Sequence, residues 1–155
     1  MSNTVFYRSA LTRELTPRAQ ALFQSLFSRT EQIDALADAL PAQILANRTR
    51  REGKPVTLSA AAKRTIRSVT KDSEKFAAEL PALIAGIRSE AKLVRTALDF
   101  ERTAHSLDQT VYTSGHPEDA VLARPMLDMR AENIAELEAF LSSELAPAAN
   151  PERPS

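Results

Sequence analysis

Three ionisable side chains in the second half of the chain have the types and spacing that could perform chemistry. Glu101, His105 and Asp108 continue a stripe of helical spacing whose earlier positions, from Leu80 to Leu98, are apolar. Residues three and four apart lie on the same face of a helix, so the three polar side chains would extend one row. Two carboxylates and an imidazole in such a row could bind a metal ion or transfer a proton.

A second apolar stripe on the same predicted helix favours a simpler interpretation. It begins before the first stripe ends, so the buried face of the helix can rotate and leave the polar row at its boundary, in water. Its members are Leu93, Ala97, Phe100, Ala104, Leu107 and Val111. A di-iron helical bundle also needs Glu-x-x-His motifs, and the sequence contains none. We therefore predict no catalytic residue, no metal site and no cofactor.

The rest of the composition offers little to other kinds of enzyme. Cysteine is absent, which excludes disulfides, thiolate zinc sites and a cysteine nucleophile. Gly53, Gly86 and Gly115 are too scattered for a phosphate-binding loop, and no Gly-x-Ser-x-Gly motif occurs. A non-enzymatic protein is the expectation.

A basic segment from residue 48 to residue 75 is the strongest charge feature of the sequence. It carries nine Lys or Arg and three acids, in a chain whose formal net charge is zero. On a helical wheel the bases from Lys63 to Lys75 fall within about 120°, opposite an apolar side with Ile66 and Val69. The bases further upstream fall in a predicted loop. The candidate nucleic-acid-binding residues are Arg48, Arg50, Arg51, Lys54, Lys63, Arg64, Arg67, Lys71 and Lys75.

This basic segment could serve three kinds of partner. Its cations could neutralise nucleic-acid phosphates without reading sequence, although no aromatic side chain stands on the basic side to stack on bases. They could instead meet an acidic helix, because residues 118–144 carry seven acids and two bases. A membrane surface is disfavoured because Trp is absent and the apolar side is needed for the core. We expect a structural or protein-facing role first, and nucleic acid as the alternative.

The elements that position these residues are predicted to be helices. Ala and Leu are abundant, glycine is scarce, and strand-like alternation is almost absent. Only Val5, Phe6 and Tyr7 resemble a strand, and they lie in a segment that we interpret as an N-terminal arm able to dock on the body. We predict an all-α fold, an antiparallel bundle of about four helices with one long or kinked central helix.

The first long helix is bounded by capping and proline signals. Thr16 can cap a helix that has Pro17 at its first position, where the missing proline N–H costs nothing. Pro41 should end or kink that helix after Leu40, because proline removes a hydrogen bond and clashes with the preceding turn. A shorter helical piece should then continue to about Arg51.

The later helices are predicted from the same signals. Thr57 or Ser59 should cap a helical stretch that runs to about Tyr112 and is interrupted at Pro81. A final helix with an acidic first turn should follow, and Pro125 should restart or kink it.

A chain of 155 residues is expected to form one domain with a core of aliphatic side chains. We predict an arm over residues 1–16, a helical bundle over residues 17–145 and a disordered, proline-rich tail over residues 146–155. The predicted core residues are Leu22, Leu26, Ile33, Leu36, Ile66, Val69, Phe76, Leu80, Ile84, Ile87, Leu98, Ile134, Leu137 and Leu141.

These features predict a non-enzymatic helical module for protein interaction or oligomerisation, with a protein partner or a second copy bound. The alternative is a nucleic-acid accessory protein that contacts phosphates through residues 48–75. The N-terminus lacks a basic region followed by an apolar one, and no stretch approaches 18 apolar residues, so we expect no membrane span and a cytoplasmic location.

Overall fold

A computed structural model of the protein describes the backbone of residues 3–149 and the side chains of residues 3–143. The described residues form five helices and no strand, which confirms the all-α class and adds one helix to the predicted number. The helices are α1 (Thr4–Leu11), α2 (Pro17–Glu52), α3 (Ala60–Ala85), α4 (Glu90–Thr113) and α5 (Pro117–Ala149).

The additional helix lies in the segment predicted to be an arm. Residues Val5 to Tyr7, which resemble a strand in sequence, are the second to fourth residues of α1. Phe6 and Tyr7 are fully buried, and Phe6 packs edge-on against Phe100 with ring centroids 5.3 Å apart. These two rings bury a large apolar area, so tertiary packing stabilises a helix too short to be stable alone.

Two of the prolines that were predicted to interrupt or kink helices do not end them. Helix α2 continues from Pro17 to Glu52 with Pro41 inside it, and α5 continues through Pro125. Both prolines are exposed, while Leu40, immediately before the first of them, is buried. Packing on either side of each proline therefore outweighs the loss of one backbone hydrogen bond.

The interruption expected at Pro81 lies several residues further along the chain. Helix α3 contains Pro81 and ends at Ala85, and α4 begins at Glu90. The Ser89 hydroxyl accepts a hydrogen bond from the Lys92 backbone N–H at 3.2 Å, which caps α4. The Arg13 guanidinium donates to the Ile84 carbonyl at 2.9 Å, which satisfies the end of α3. The boundary between α3 and α4 therefore lies at these two hydrogen-bonded ends and not at Pro81.

The predicted helix starts at Thr16 and Ser59 are confirmed. The Thr16 hydroxyl accepts a hydrogen bond from the Ala19 backbone N–H, and the Ser59 hydroxyl accepts one from that of Ala62. Each cap satisfies a donor that has no partner within its own helix.

The core forms where α5 lies between α2 and α4, with α1 packed on α2 and on the second half of α3. Among the predicted core residues, Ile66 and Val69 are wrong because both are exposed. Those confirmed as buried are Leu26, Ile33, Leu80, Ile84, Ile87, Leu98 and Leu137. Those that pack on the core while partly exposed are Leu22, Leu36, Phe76, Ile134 and Leu141.

The C-terminal boundary also differs from the prediction. Helix α5 reaches Ala149, so the first four residues of the predicted tail, 146–149, are helical. The rest of that predicted tail lies outside the described residues. Among the residues that the structure describes, no helix combines the length and the apolar character needed to cross a membrane.

Candidate functional site

The N-terminal half of α3 is almost entirely exposed to solvent. Leu80 and Ile84 anchor the other end of the helix in the core, mainly against α1. Residues 60–75, here called the projecting half of α3, are exposed on all sides except at Ala62 and Ser73, which are half-buried. This half therefore presents both its basic and its apolar side to solvent.

The apolar side of the projecting half carries branched side chains that the sequence predicts to be buried. Ile66 is 51% exposed and Val69 is 57% exposed, although both lie at helical spacing from the buried Leu80. On α4, Leu107 is 61% exposed and Val111 is 62% exposed. Helices α3 and α4 meet at the rings of Phe76 and Phe100, and each leaves an apolar row exposed.

An open groove with a volume of about 550 Å³ includes both of these rings in its lining. Residues of α2 and α4 form most of the lining, together with Phe76 of α3 and Arg130 of α5. The rings of Phe76 and Phe100 meet edge-on there, with centroids 5.7 Å apart. The apolar lining consists of Ala37, Phe76, Phe100, Ala104, Leu107 and Tyr112.

The groove has acidic walls around this apolar lining. Asp34 and Asp38 stand on α2, and Asp108 stands on α4, 3.6 Å from the guanidinium of Arg130. Asp34 accepts a hydrogen bond from the Thr4 hydroxyl, while Asp38 is exposed. Partial burial raises the pKa of Asp108, and the guanidinium of Arg130 opposes that rise. The groove is therefore suited to a ligand that is both apolar and cationic.

A buried polar network lies beneath the groove and centres on Glu101. This side chain is 0% exposed, and its carboxylate accepts hydrogen bonds from the Tyr7 hydroxyl, from Arg130 at 3.1 Å and from Asn133 at 3.1 Å. Asn133 also contacts the Thr30 hydroxyl at 3.2 Å. Four helices thus contribute to one network, in which every oxygen of the carboxylate is satisfied.

The polar network separates two apolar clusters of the core. One cluster includes Leu26, Leu98 and Leu137, and the other includes Ile33 and Leu127. Thr30, Glu101 and the pair Arg130 and Asn133 occupy the intervening helical turns. We expect such a network to fix the register of α2, α4 and α5 more than it adds to stability.

The three residues predicted as a possible chemical site have different environments. Glu101 is not at a wet boundary, as the rotating stripe predicted, but is enclosed by donors from three other side chains. Asp108 lines the groove, and His105 is half-buried. Among the described side chains, no group of three or more His, Asp or Glu residues is arranged to hold a metal ion.

The nine candidate nucleic-acid-binding residues divide into two groups. Arg48, Arg50 and Arg51 lie in the last turns of α2 rather than in the predicted loop, and Lys54 follows that helix. Arg50 and Arg51 both form ion pairs with Glu118 at the start of α5. The bases of the projecting half are exposed, and within the described part of the chain none of them forms an ion pair; they are Lys63, Arg64, Arg67, Lys71 and Lys75.

The acidic final helix pairs with other helices than α3. Arg29 of α2 forms ion pairs with Glu132, at 3.5 Å, and with Glu136. Arg102 of α4 pairs with Glu138. The basic face of α3 is therefore not covered by α5 within one chain.

Sequence reasoning missed the groove and most of the buried network. Arg130 and Asn133 stand at core positions of α5, between Leu127 and Leu137, and this polar interruption was the available signal. It matches the interruption at Glu101 on α4, which the sequence does reveal. The groove has no comparable signal because residues from four helices form it.

Comparisons with known proteins provide no function for this chain, so a functional proposal has to rest on its own surfaces. No protein-family model, no curated protein and no solved structure matches it.

Proposed function

We propose that this protein is a non-enzymatic helical interaction module that self-associates through the projecting half of α3 and the adjoining groove. The observation that supports this most directly is the exposure of Ile66 and Val69 on a helix whose other end is anchored in the core. Scattered apolar residues on a surface are ordinary, but here they form one row on α3 and another on α4.

Helix energetics support a partner for this surface. Most helical stability in proteins comes from packing of an apolar face rather than from the helix propensity of the residues. The projecting half has such a face and leaves it in solvent. A partner that covers Ile66 and Val69 would supply the missing packing and would also bury Leu107 and Val111 of α4.

Light scattering coupled to gel filtration tests self-association over a range of protein concentrations. The expected result is a mass that rises from one chain towards two or more as the concentration increases. The double variant Ile66→Asn/Val69→Asn should remain a single chain, because amides on the apolar row would have to be desolvated in the complex. The control variant Val121→Asn changes a residue on α5 that is 69% exposed, and it should self-associate normally. A wild-type protein that stays a strict monomer at high micromolar concentration would contradict the proposal.

A second candidate function is phosphate-backbone binding to nucleic acid. The observation that favours it is the row of five bases on the projecting half, which form no ion pair among the described residues. Counterion release from such a row gives affinity without sequence choice.

Fluorescence anisotropy with duplex DNA over a salt series tests this second candidate. The logarithm of the affinity should fall by about 0.9 per contacted phosphate for each tenfold rise in salt. Lys63→Glu/Arg67→Glu/Lys71→Glu should abolish binding, whereas Lys92→Glu, at an exposed position on α4, should have little effect. Lack of binding at low salt rules out this candidate and leaves self-association untouched.

A further inference from the structure

We propose that the groove of one chain is occupied by the projecting half of α3 from a second copy, and that the exchange is reciprocal across a two-fold axis. This inference rests on the proposed self-association and identifies the two surfaces that meet. Each copy offers one exposed amphipathic helix and one open groove, so a pair of chains would fill both grooves.

The apolar surfaces match in kind. The groove is lined along α4 by Phe100, Ala104 and Leu107, which are spaced by four and three residues. The projecting half carries Ile66 and Val69 three residues apart, so both surfaces are single rows along a helix axis. Amphipathic helices bind many receptors by placing their apolar face in a hydrophobic groove of this kind.

The charges on the two surfaces are complementary. Asp34, Asp38 and Asp108 stand around the groove, and the exposed Lys63 lies at the edge of the apolar row of α3, about 60° around the helix from Ile66. The other bases of the projecting half lie on the opposite side of the helix and face away from the groove. The base beside the apolar row can therefore meet the exposed Asp38 on the α2 wall. This arrangement selects the register of docking more than its strength.

Closure of α3 over the groove of its own chain is the competing arrangement, and the helix itself opposes it. Phe76 of α3 already contacts Phe100 at the end of the groove, and Leu80 is anchored in the core. No Gly or Pro lies between Ala60 and Leu80, so α3 has no hinge at which its first half could bend inward. A straight helix from another molecule meets no such restriction.

The area buried by two docked helices corresponds to a weak dimer that depends on protein concentration. A segment of 16 residues is about 24 Å long and about 10 Å across, which corresponds to a footprint of about 240 Å². Each footprint is buried on the helix and on the groove, and there are two of them, so the interface is on the order of 1,000 Å², a size typical of weak and transient association.

Disulfide trapping tests this arrangement well because the natural chain has no cysteine. Full-length Ile66→Cys protein is mixed with full-length Leu107→Cys or Ala104→Cys protein under a mildly oxidising glutathione buffer. The control mixture contains Ser68→Cys, which lies about 200° around the helix from position 66 and so faces away from the groove. All these positions except the half-buried Ala104 are exposed, and circular dichroism confirms that each variant retains its helices.

The expected result is a disulfide between position 66 of one chain and position 107 or 104 of the other, identified by mass spectrometry of the linked peptides. Its yield should exceed that of the Ser68→Cys mixture by about tenfold or more, because docking raises the effective concentration of the two thiols. The double variant Ile66→Cys/Leu107→Cys should form linked dimers rather than an internally linked monomer.

Three results would overturn the inference, and they separate it from the proposed function. An internal disulfide in the double variant without linkage in the mixtures would show that α3 closes over its own groove. A wild-type dimer without either linkage would preserve self-association but place it on another surface. A strict wild-type monomer would remove both proposals.

Discussion

The Arg130 guanidinium lies 3.1 Å from the Glu101 carboxylate. Both side chains are buried, so bulk water does not hydrate either charge. This ion pair links α5 to α4 in the middle of the bundle. The Tyr7 hydroxyl donates to the same carboxylate, so the short helix α1 is tied to the pair. A buried charge that loses its partner strongly destabilises the folded state, because nothing else offsets its lost hydration.

Removal of one partner of this pair is therefore expected to be much more harmful than removal of both. Glu101→Leu should lower the free energy of unfolding by about 3–5 kcal/mol, because it leaves Arg130 buried with less compensation. Glu101→Leu/Arg130→Met should be less destabilised than the sum of the two single variants. Urea unfolding of all four proteins measures the coupling; additive effects would contradict a direct interaction.

Stability should depend very differently on residues of the same apolar stripe of α3. Ile66→Ala and Val69→Ala are expected to change the free energy of unfolding by about 0.5 kcal/mol or less, as exposed sites do. Leu80→Ala should cost about 2–5 kcal/mol because it leaves a cavity in the core. Unfolding is measured at low protein concentration, where chains are separate. Equal costs at Ile66 and Leu80 would mean that the projecting half is packed in the monomer.

Both tyrosines of the chain should ionise at unusually high pH. Burial, reinforced by the carboxylate of Glu101, raises the pKa of Tyr7 well above its ordinary value, and burial also raises that of Tyr112. The folded state then retains protons that the unfolded state releases above about pH 10, so stability falls as pH rises past that point. In a Tyr112→Phe variant, the ultraviolet absorbance of tyrosinate should appear together with loss of helical circular dichroism. Ionisation of Tyr7 before unfolding would disprove its burial.

At acidic pH, the stability of the folded protein should depend on the ionisation of Asp108. Burial raises the pKa of this carboxyl in the folded state, so the folded chain holds the proton more tightly than the unfolded chain. Stability contributed by the protonated group is present below the unfolded pKa of about 3.9 and is lost as pH rises through the higher folded value. Asp108→Asn should therefore gain stability relative to wild type across that window.

Thermal unfolding at a series of acidic pH values measures the effect of Asp108→Asn, with Asp128→Asn, at an exposed position on α5, as the control. The control should follow the wild-type profile. A difference between Asp108→Asn and wild type that is constant with pH would indicate that ionisation of Asp108 is not responsible.

Local sequence is sufficient for the all-α class and for several helix ends. Thr16 and Ser59 cap their helices through donors three residues away, so a few neighbouring residues contain the information. The same is true of the amphipathic pattern in the projecting half, where the bases and the apolar row lie on different sides. These features depend on backbone geometry that is the same in every helix.

Whether a side chain is buried depends instead on which distant segment of the chain packs against it. Ile66 and Leu80 belong to one stripe with one periodicity, yet only Leu80 meets a neighbouring helix. Glu101 looks like a surface residue in sequence and lies in the interior because Tyr7, Arg130 and Asn133 converge on it. Pro41 is tolerated because the turns around it are held by packing. The periodicity of apolar residues identifies one face of a helix. Long-range contacts determine whether that face is covered, because burial requires a second surface that the local sequence does not describe.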